Sequence, residues 1–351
     1  MHKKTTTALI ALTVALAASP ALARELATLT RVDAQTVELA REDTSPVSVW
    51  ISADPKLDKR DQRFASASKD AKLRLAIPAS ERRYVILEGK GGKQTVVAER
   101  VVAVQQGSNF RDIGGYVTKS GKTVKWDKAF RSGAMPLLTD ADYALLGQLG
   151  IGNVVDLRSI EERQVAPDML DDKTGALFLA NDYSLKPLMA NFGKGGGENM
   201  YKGMEKMLAP QYRAMFKRLI ADEGAVLYHC SAGQDRTGIA TGLLYDVLGV
   251  DRDTIVKDYH LSTALRRPQY EMPKVDPKDY PDNPIVQYYF ARSAEQRNQA
   301  EPLFTKSGAS HLVQFFAYID SEYGGSEGYL KQVLGFTDAD IAKLRDNMLE
   351  G

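Results

Sequence analysis

The sequence predicts an α/β domain with a central, mostly parallel sheet flanked by helices, preceded by a small all-β domain. Three observations lead there. Residues 24–104 form a series of short β-branched runs separated by turn residues. From about residue 105 apolar strand-like runs alternate with helical patterns, the rhythm of an α/β fold. Residues 1–23 belong to neither part and read as a leader.

That leader is "MHKKTTTALIALTVALAASPALA": a basic start at Lys3 and Lys4, an apolar run from Ala8 to Ala18, and Ala21-x-Ala23 at its end. It has the form of a secretory signal cleaved after Ala23, so export to the periplasm or beyond is expected. The apolar stretch is shorter than the ~20 residues of a membrane span, and none of that length follows it, so stable membrane insertion is not expected. The chain has 351 residues, 26% charged and 44% hydrophobic, the composition of an ordinary globular protein. Its formal charge is +1, and loss of Lys3 and Lys4 takes it to −1. Such a balance offers no field for nucleic acid or an anionic membrane.

In the front part, "TVELA", "VSVWISA", "LRLAIP", "YVILEG" and "QTVVAERVVAV" are candidate strands of a sandwich-like domain over residues 24–104. The polar segment from Asp54 to Lys72 reads as a long loop. In residues 105–351, "TDADYALLGQLG" predicts a helix leading into the strand "IGNVVDLR". "GALFLA" and "GAVLYH" are two further strands, the last followed by a helix from Thr237 through Val247. Between the second and third strands, Gly193, Gly195, Gly196 and Gly197 precede a Met-rich helical stretch. Residues 193–208 are therefore either a hinged lid or a loop entering an ordinary helix.

Cys230, the one cysteine, sits in "VLYHCSAGQDRTGIA". It cannot form an intramolecular disulfide, so it is either an inert buried group or a reactive one. It ends a predicted strand, and Thr237 opens a predicted helix. Between them, Ser231, Ala232 and Gly233 are small enough for backbone N–H groups to converge, and such a turn at a helix N-terminus cradles an anion. Gln234 and Asp235 complete the turn, and Arg236 adds a rigid fork of donors matched to phosphate oxygens. The same field favours a thiolate at Cys230, which can attack phosphorus in line and leave a phosphocysteine for water to hydrolyse. His2, His229, His260 and His311 are not spaced as metal ligands, so neither metal nor cofactor is expected.

The loop "HCSAGQDRTG" carries the H-C-x-x-G-x-x-R-T pattern and resembles that of the cysteine-dependent tyrosine phosphatase superfamily. With "NFRDIGGY" (109–116), "VVDLRSIEER" (154–163) and the terminal "YGGSEGYLKQVLGFTDADIAKLR", most of residues 105–351 resembles the bacterial secreted tyrosine phosphatase family. The resemblance implies a cysteine-phosphatase-like fold and metal-independent hydrolysis of a phosphotyrosine protein or peptide. It makes Cys230 the nucleophile and Arg236 the phosphate clamp, with Ser231 to Thr237 as the phosphate-binding turn. Thr237 either donates its hydroxyl to the sulfur or simply opens the helix.

For the general acid, the resemblance points to Asp235 and Asp156, with Asp182 after the second strand a third candidate; any of them could instead orient Arg236. Asn109, Arg111 and Asp112, like Arg131 and Arg158, either line the site or hold its turns. Tyr183 is a candidate to stack on a phosphotyrosine ring. Family loops often carry lysine where this chain has Gln234. That departure favours phosphotyrosine over the alternative of a phosphoinositide or inositol phosphate, unless Arg266 and Arg267 face the site. A catalytically silent phosphate-binding module is the alternative of another class, and the intact Cys230 and Arg236 weigh against it. The Arg-Thr ending and the lack of a second cysteine weigh against sulfur-transfer or arsenate-reducing chemistry.

Overall fold

The front of the chain folds as two antiparallel sheets. One comprises β1 (Ala27–Arg31), β2 (Thr36–Arg41) and β5 (Lys72–Ala76). The other comprises β3 (Val47–Ser52), β4 (Gln62–Ser68), β6 (Tyr84–Glu88) and β7 (Gln94–Ala98), in the order β4-β3-β6-β7. This computed structural model describes residues 25–187 and 199–351. The expected signal at residues 1–23 and the glycines at 193–197 lie outside the described residues. The two sheets close on one core containing Val37, Leu39, Val49, Leu75, Val85 and Leu87. Alternation explains it: β2 buries every second side chain. β4 falls inside the segment read as a long loop. It is an edge strand whose side chains are mostly exposed, so backbone pairing to β3 makes it without an apolar pattern.

From residue 111 onward the chain builds the α/β part. Its five-stranded sheet runs β12-β11-β13-β10-β8, with β8 at Arg111–Asp112, β10 at Ala129–Ser132, β11 at Ile151–Asp156, β12 at Leu177–Ala180 and β13 at Ala225–His229. β10 to β13 pair in parallel, and only β8 runs antiparallel, against β10. β10 and β8 have four and two residues, too short for their patterns to announce them. A small ribbon pairs β9 (Thr123–Val124) with β14 (Leu349–Glu350).

Helices cover both faces of the larger sheet. α1 (Asp140–Leu146), α2 (Ile160–Val165) and α3 (Leu170–Thr174) precede α4 (Met204–Met207) and α5 (Ala209–Ala221). After β13 come α6 (Asp235–Leu248), α7 (Arg252–Leu265), α8 (Pro284–Ala291), α9 (Ala294–Arg297), α10 (His311–Tyr323), α11 (Ser326–Gln332) and α12 (Asp338–Met348). The alternation of β13 decides which face each side chain joins. Val226, Tyr228 and Cys230 enter the core with Tyr212 of α5 and Leu243 of α6, whereas Ala225 and Leu227 meet Leu145, Leu146 and Leu170.

The front sheets are tied to the α/β part by buried groups. Arg82 donates to Asp112 Oδ2 (2.5 Å), Asp127 Oδ1 (2.9 Å) and the Glu99 carbonyl (2.6 Å), and the Trp126 indole N–H donates to the Val96 carbonyl (3.0 Å). Among the described residues no helix is long and apolar enough to cross a membrane.

Candidate active site

β13 is the middle strand of its sheet, with parallel neighbours on both sides, so its C-terminal end opens where an α/β fold places ligands. Cys230 is the next residue, 1% exposed, and α6 starts five positions later, with Gln234 as its N-cap. The carbonyls of the intervening turn are held outward. Ala134 N–H donates to Ser231 O (2.9 Å), and Asn109 Nδ2 to Ala232 O (3.2 Å) and Gly233 O (2.9 Å). Arg131 Nη2 also donates to Gly233 O (2.7 Å). With carbonyls outward, the turn's N–H groups face its hollow and add to the positive end of α6. Gly233 makes the curl possible: its φ is +66°, and a Cβ there would lie 2.5 Å from Ser132 O.

The outer residues that hold the turn form a network of their own. Arg111 and Arg131 are fully buried and share Asp258, each approaching Oδ2 at 3.3 Å, and Arg111 also donates to Asn109 Oδ1. Burial works against the Asp258 carboxylate, but the two guanidiniums hold it below the usual range. Asn109, Arg111 and Arg131 thus support the turn from behind, whereas Asp112 belongs to the Arg82 junction.

Arg236 is fixed by a residue that the sequence reading did not single out. Its Nη1 and Nη2 each donate to Glu162, at 2.6 Å to Oε2 and Oε1, a bidentate pair. Glu162 is also the third residue of α2 and closes a capping box with Ser159, whose N–H donates to Oε2 at 2.8 Å. The Ser231 hydroxyl donates to Oε1 at 2.5 Å. Burial alone would raise the Glu162 carboxyl. Arg236, Ser231 and the Ser159 N–H together outweigh it and hold the group at about 2. Tyr183 accepts from Arg236 Nη1 (2.9 Å) and donates to Leu157 O (2.8 Å), so its hydroxyl braces the guanidinium. Burial pushes that phenol up to about 12.

The three candidate acids are placed very differently. Asp235 is half-buried at the start of α6, and Tyr201 donates to its Oδ1 at 2.6 Å. Tyr201 and Tyr259 hydroxyls lie 2.5 Å apart, and burial with the nearby Asp235 carboxylate pushes the Tyr201 phenol well above its ordinary range. Asp156 is fully buried and forks onto Arg158, with Arg158 Nη2 donating to Oδ2 at 2.7 Å. Burial opposes its charge, but His229 and Arg158 hold it well below the usual carboxylate range. His229 Nε2 lies 3.8 Å from Asp156 and 3.1 Å from Asp168. By strand alternation this cluster lies on the opposite sheet face from Cys230. Asp182 is exposed and paired with Arg163.

Thr237 Oγ1 is buried without a hydrogen-bond partner among the described residues, so the bond to sulfur that was one reading of the sequence is not formed here. Gln234 accepts from Arg266 Nη1 at 2.7 Å and donates to Glu301 O at 3.2 Å. Arg266 therefore reaches the turn, but Glu271 accepts from Arg266 Nη2 at 2.8 Å and offsets its charge. Arg267 turns away, onto the carbonyls of Val104 and Gln105. A hollow of about 770 Å³ among the front strands shares no residue with the turn. A smaller one, about 200 Å³, is lined by Ser231 and Glu162.

The sequence that builds this site is similar to known proteins. A family model described as the tyrosine phosphatase family covers residues 102–350. A tyrosine-protein phosphatase of Nostoc commune is 33% identical over 233 residues, spanning 62% of this chain and 73% of that relative. The triple specificity protein phosphatase PtpB of Mycobacterium tuberculosis is 28% identical over 282 residues, spanning 69% of this chain and 96% of the relative. A thiol at the end of the middle strand, an anion-facing turn and an anchored arginine, in a chain matched over this length, mean that the protein belongs to the tyrosine phosphatase family.

Proposed function

We propose that this protein-tyrosine phosphatase is exported and hydrolyses phosphotyrosine through a phosphocysteine at Cys230, without a metal. The observation that carries the reading is the outward tethering of the Ser231, Ala232 and Gly233 carbonyls around Cys230, with Arg236 pinned by Glu162. A phosphoryl group seated in the turn meets N–H groups and, through Arg236, a guanidinium braced by Tyr183. The Cys230 thiolate attacks phosphorus as the P–O bond to the tyrosyl oxygen breaks. Asp235, held by Tyr201 on the same helix N-terminus, gives its proton to the departing oxygen. Water then attacks the phosphocysteine, Asp235 takes its proton back, and the sulfur leaves as thiolate with release of inorganic phosphate. Asp156 has no part in this scheme, because its carboxylate is spent on Arg158 on the other face of the sheet.

Export rests on the form of residues 1–23, and mature protein in a periplasmic fraction should begin at Arg24. The chemistry is tested by phosphate release from a phosphotyrosine peptide, with EDTA present, by wild type and by Cys230→Ser. Release by wild type alone is expected; a rate abolished by EDTA, or retained by Cys230→Ser, contradicts the reading. Inositol phosphates are the second reading, prompted by Arg266 at Gln234. The bond from Arg266 to Glu271 counts against it, and inositol phosphates should be the poorer substrates.

A further inference from the structure

Beside the Cys230 turn lies the hollow of about 200 Å³, open toward solvent between the turn and α8. α8 is tied in place at its N-terminus, where Asn283 Nδ2 donates to Glu161 O at 3.0 Å and Val286 is buried. The hollow shares Ser231 and Glu162 with the phosphate site, and its other walls include Met272, Ile285, Tyr288 and Tyr289. Three arginines reach it: Arg266, Arg292 and Arg297. The first two are matched by carboxylates, Arg266 by Glu271 at 2.8 Å and Arg292 by Glu301 at 2.7 Å. Glu162, the remaining acid of the lining, is taken by Arg236.

Arg297 is left over. Its guanidinium lies 4.7 Å from the Tyr289 ring centroid and 5.4 Å from that of Phe290. Among the described residues it has no carboxylate partner, and its Nε is buried without any hydrogen bond. A half-buried guanidinium held against aromatic rings, with donors unused, is a site prepared for an anion from outside. The hollow has room for one side chain. Apolar walls with a single unmatched cation suit an aliphatic stem ending in one carboxylate, and suit a polyphosphate poorly. Tyr288, 45% exposed, lies on the same side and extends the apolar surface outward.

We infer that this hollow is a substrate subsite in which Arg297 reads an acidic side chain close in sequence to the phosphotyrosine. The inference rests on the phosphotyrosine reading above. It is tested on the full-length mature protein with phosphotyrosine peptides that differ only in carrying Glu, Gln or Lys at one position. That position is varied over the three residues on either side of the phosphotyrosine.

At one of these positions the Glu peptide should exceed the Gln peptide about fivefold in kcat/KM, chiefly through KM, with Lys poorest. Arg297→Gln should erase that preference and leave the rate on a small aryl phosphate unchanged; Arg297→Lys should keep part of it. Equal rates for all peptides, or a preference that survives in Arg297→Gln, would overturn the subsite alone. So would an Arg297-dependent preference for an inositol bisphosphate over every peptide. Failure on every phosphotyrosine peptide, with aryl phosphate still hydrolysed, would overturn the underlying reading as well.

Discussion

Glu162→Gln removes the charge that anchors Arg236 while keeping the side chain's shape. The carboxylate is buried, and it accepts from Arg236 twice at 2.6 Å, from Ser231 at 2.5 Å and from the Ser159 N–H at 2.8 Å. Held at about 2 against an ordinary 4.5, it contributes on the order of 3 kcal/mol to folding at neutral pH. Loss of one partner of a buried pair costs a similar amount, about 3–5 kcal/mol. Because the folded carboxyl is the stronger acid, the unfolded chain takes up a proton that the folded chain refuses once pH drops below about 4.5. The contribution is therefore complete above that value and fades as pH falls toward about 2. Urea denaturation at neutral pH should show Glu162→Gln less stable by about 3 kcal/mol, with the gap to wild type narrowing as both are acidified. In steady-state assays the unanchored Arg236 should lower kcat by about 100-fold. A variant within about 1 kcal/mol of wild type and equally active would refute the claim that Glu162 positions the arginine.

Other consequences are equally concrete. Gly233→Ala places a Cβ 2.5 Å from Ser132 O at a φ of +66°, so the turn must open; kcat/KM should fall by about 100-fold, and a fully active variant would show that the turn's path is unimportant. Tyr201→Phe takes away the donor to Asp235; kcat should drop about tenfold on phenyl phosphate and little on an aryl phosphate with an acidic leaving group, whereas equal losses on both would mean Tyr201 does not act through Asp235. Arg82→Ala strands the buried Asp112 and the half-buried Asp127, whose carboxyls desolvation already raises; it should cost about 3–5 kcal/mol near neutral pH, and less in mild acid, where the two groups take up protons. Urea midpoints of that variant that do not depend on pH would contradict this.

What could be read from the chain follows physical range. The Cys230 turn was legible because its parts are consecutive: a strand end, small residues, an arginine at a fixed spacing and a helix start. The strands β2, β11 and β13 were legible for the same reason, each as a consecutive β-branched or apolar run. Glu162 was half legible. Ser159-x-x-Glu162 is a capping box on its face, but its second role joins it to Arg236, 74 positions away, and no local pattern carries that link. The choice between Asp156 and Asp235 was equally out of reach. Both lie at strand ends or helix starts, and only the side of the sheet each faces, with Arg158 beside one and Tyr201 beside the other, separates them. β10 and β8 went unread because two to four residues show no period, and β4 because an exposed edge strand needs no apolar face.

The account's central claim is that phosphate passes through the sulfur of Cys230. Enzyme mixed with a phosphotyrosine peptide and quenched in acid within the first turnover should carry one phosphoryl group on the proteolytic fragment containing Cys230, and the label should vanish as inorganic phosphate appears. Asp235→Asn, which lacks the base for the attack of water, should accumulate more of it from an aryl phosphate whose acidic leaving group departs without a proton. Phosphate released with no modified Cys230 at any quench time, in wild type and in Asp235→Asn alike, would contradict the account.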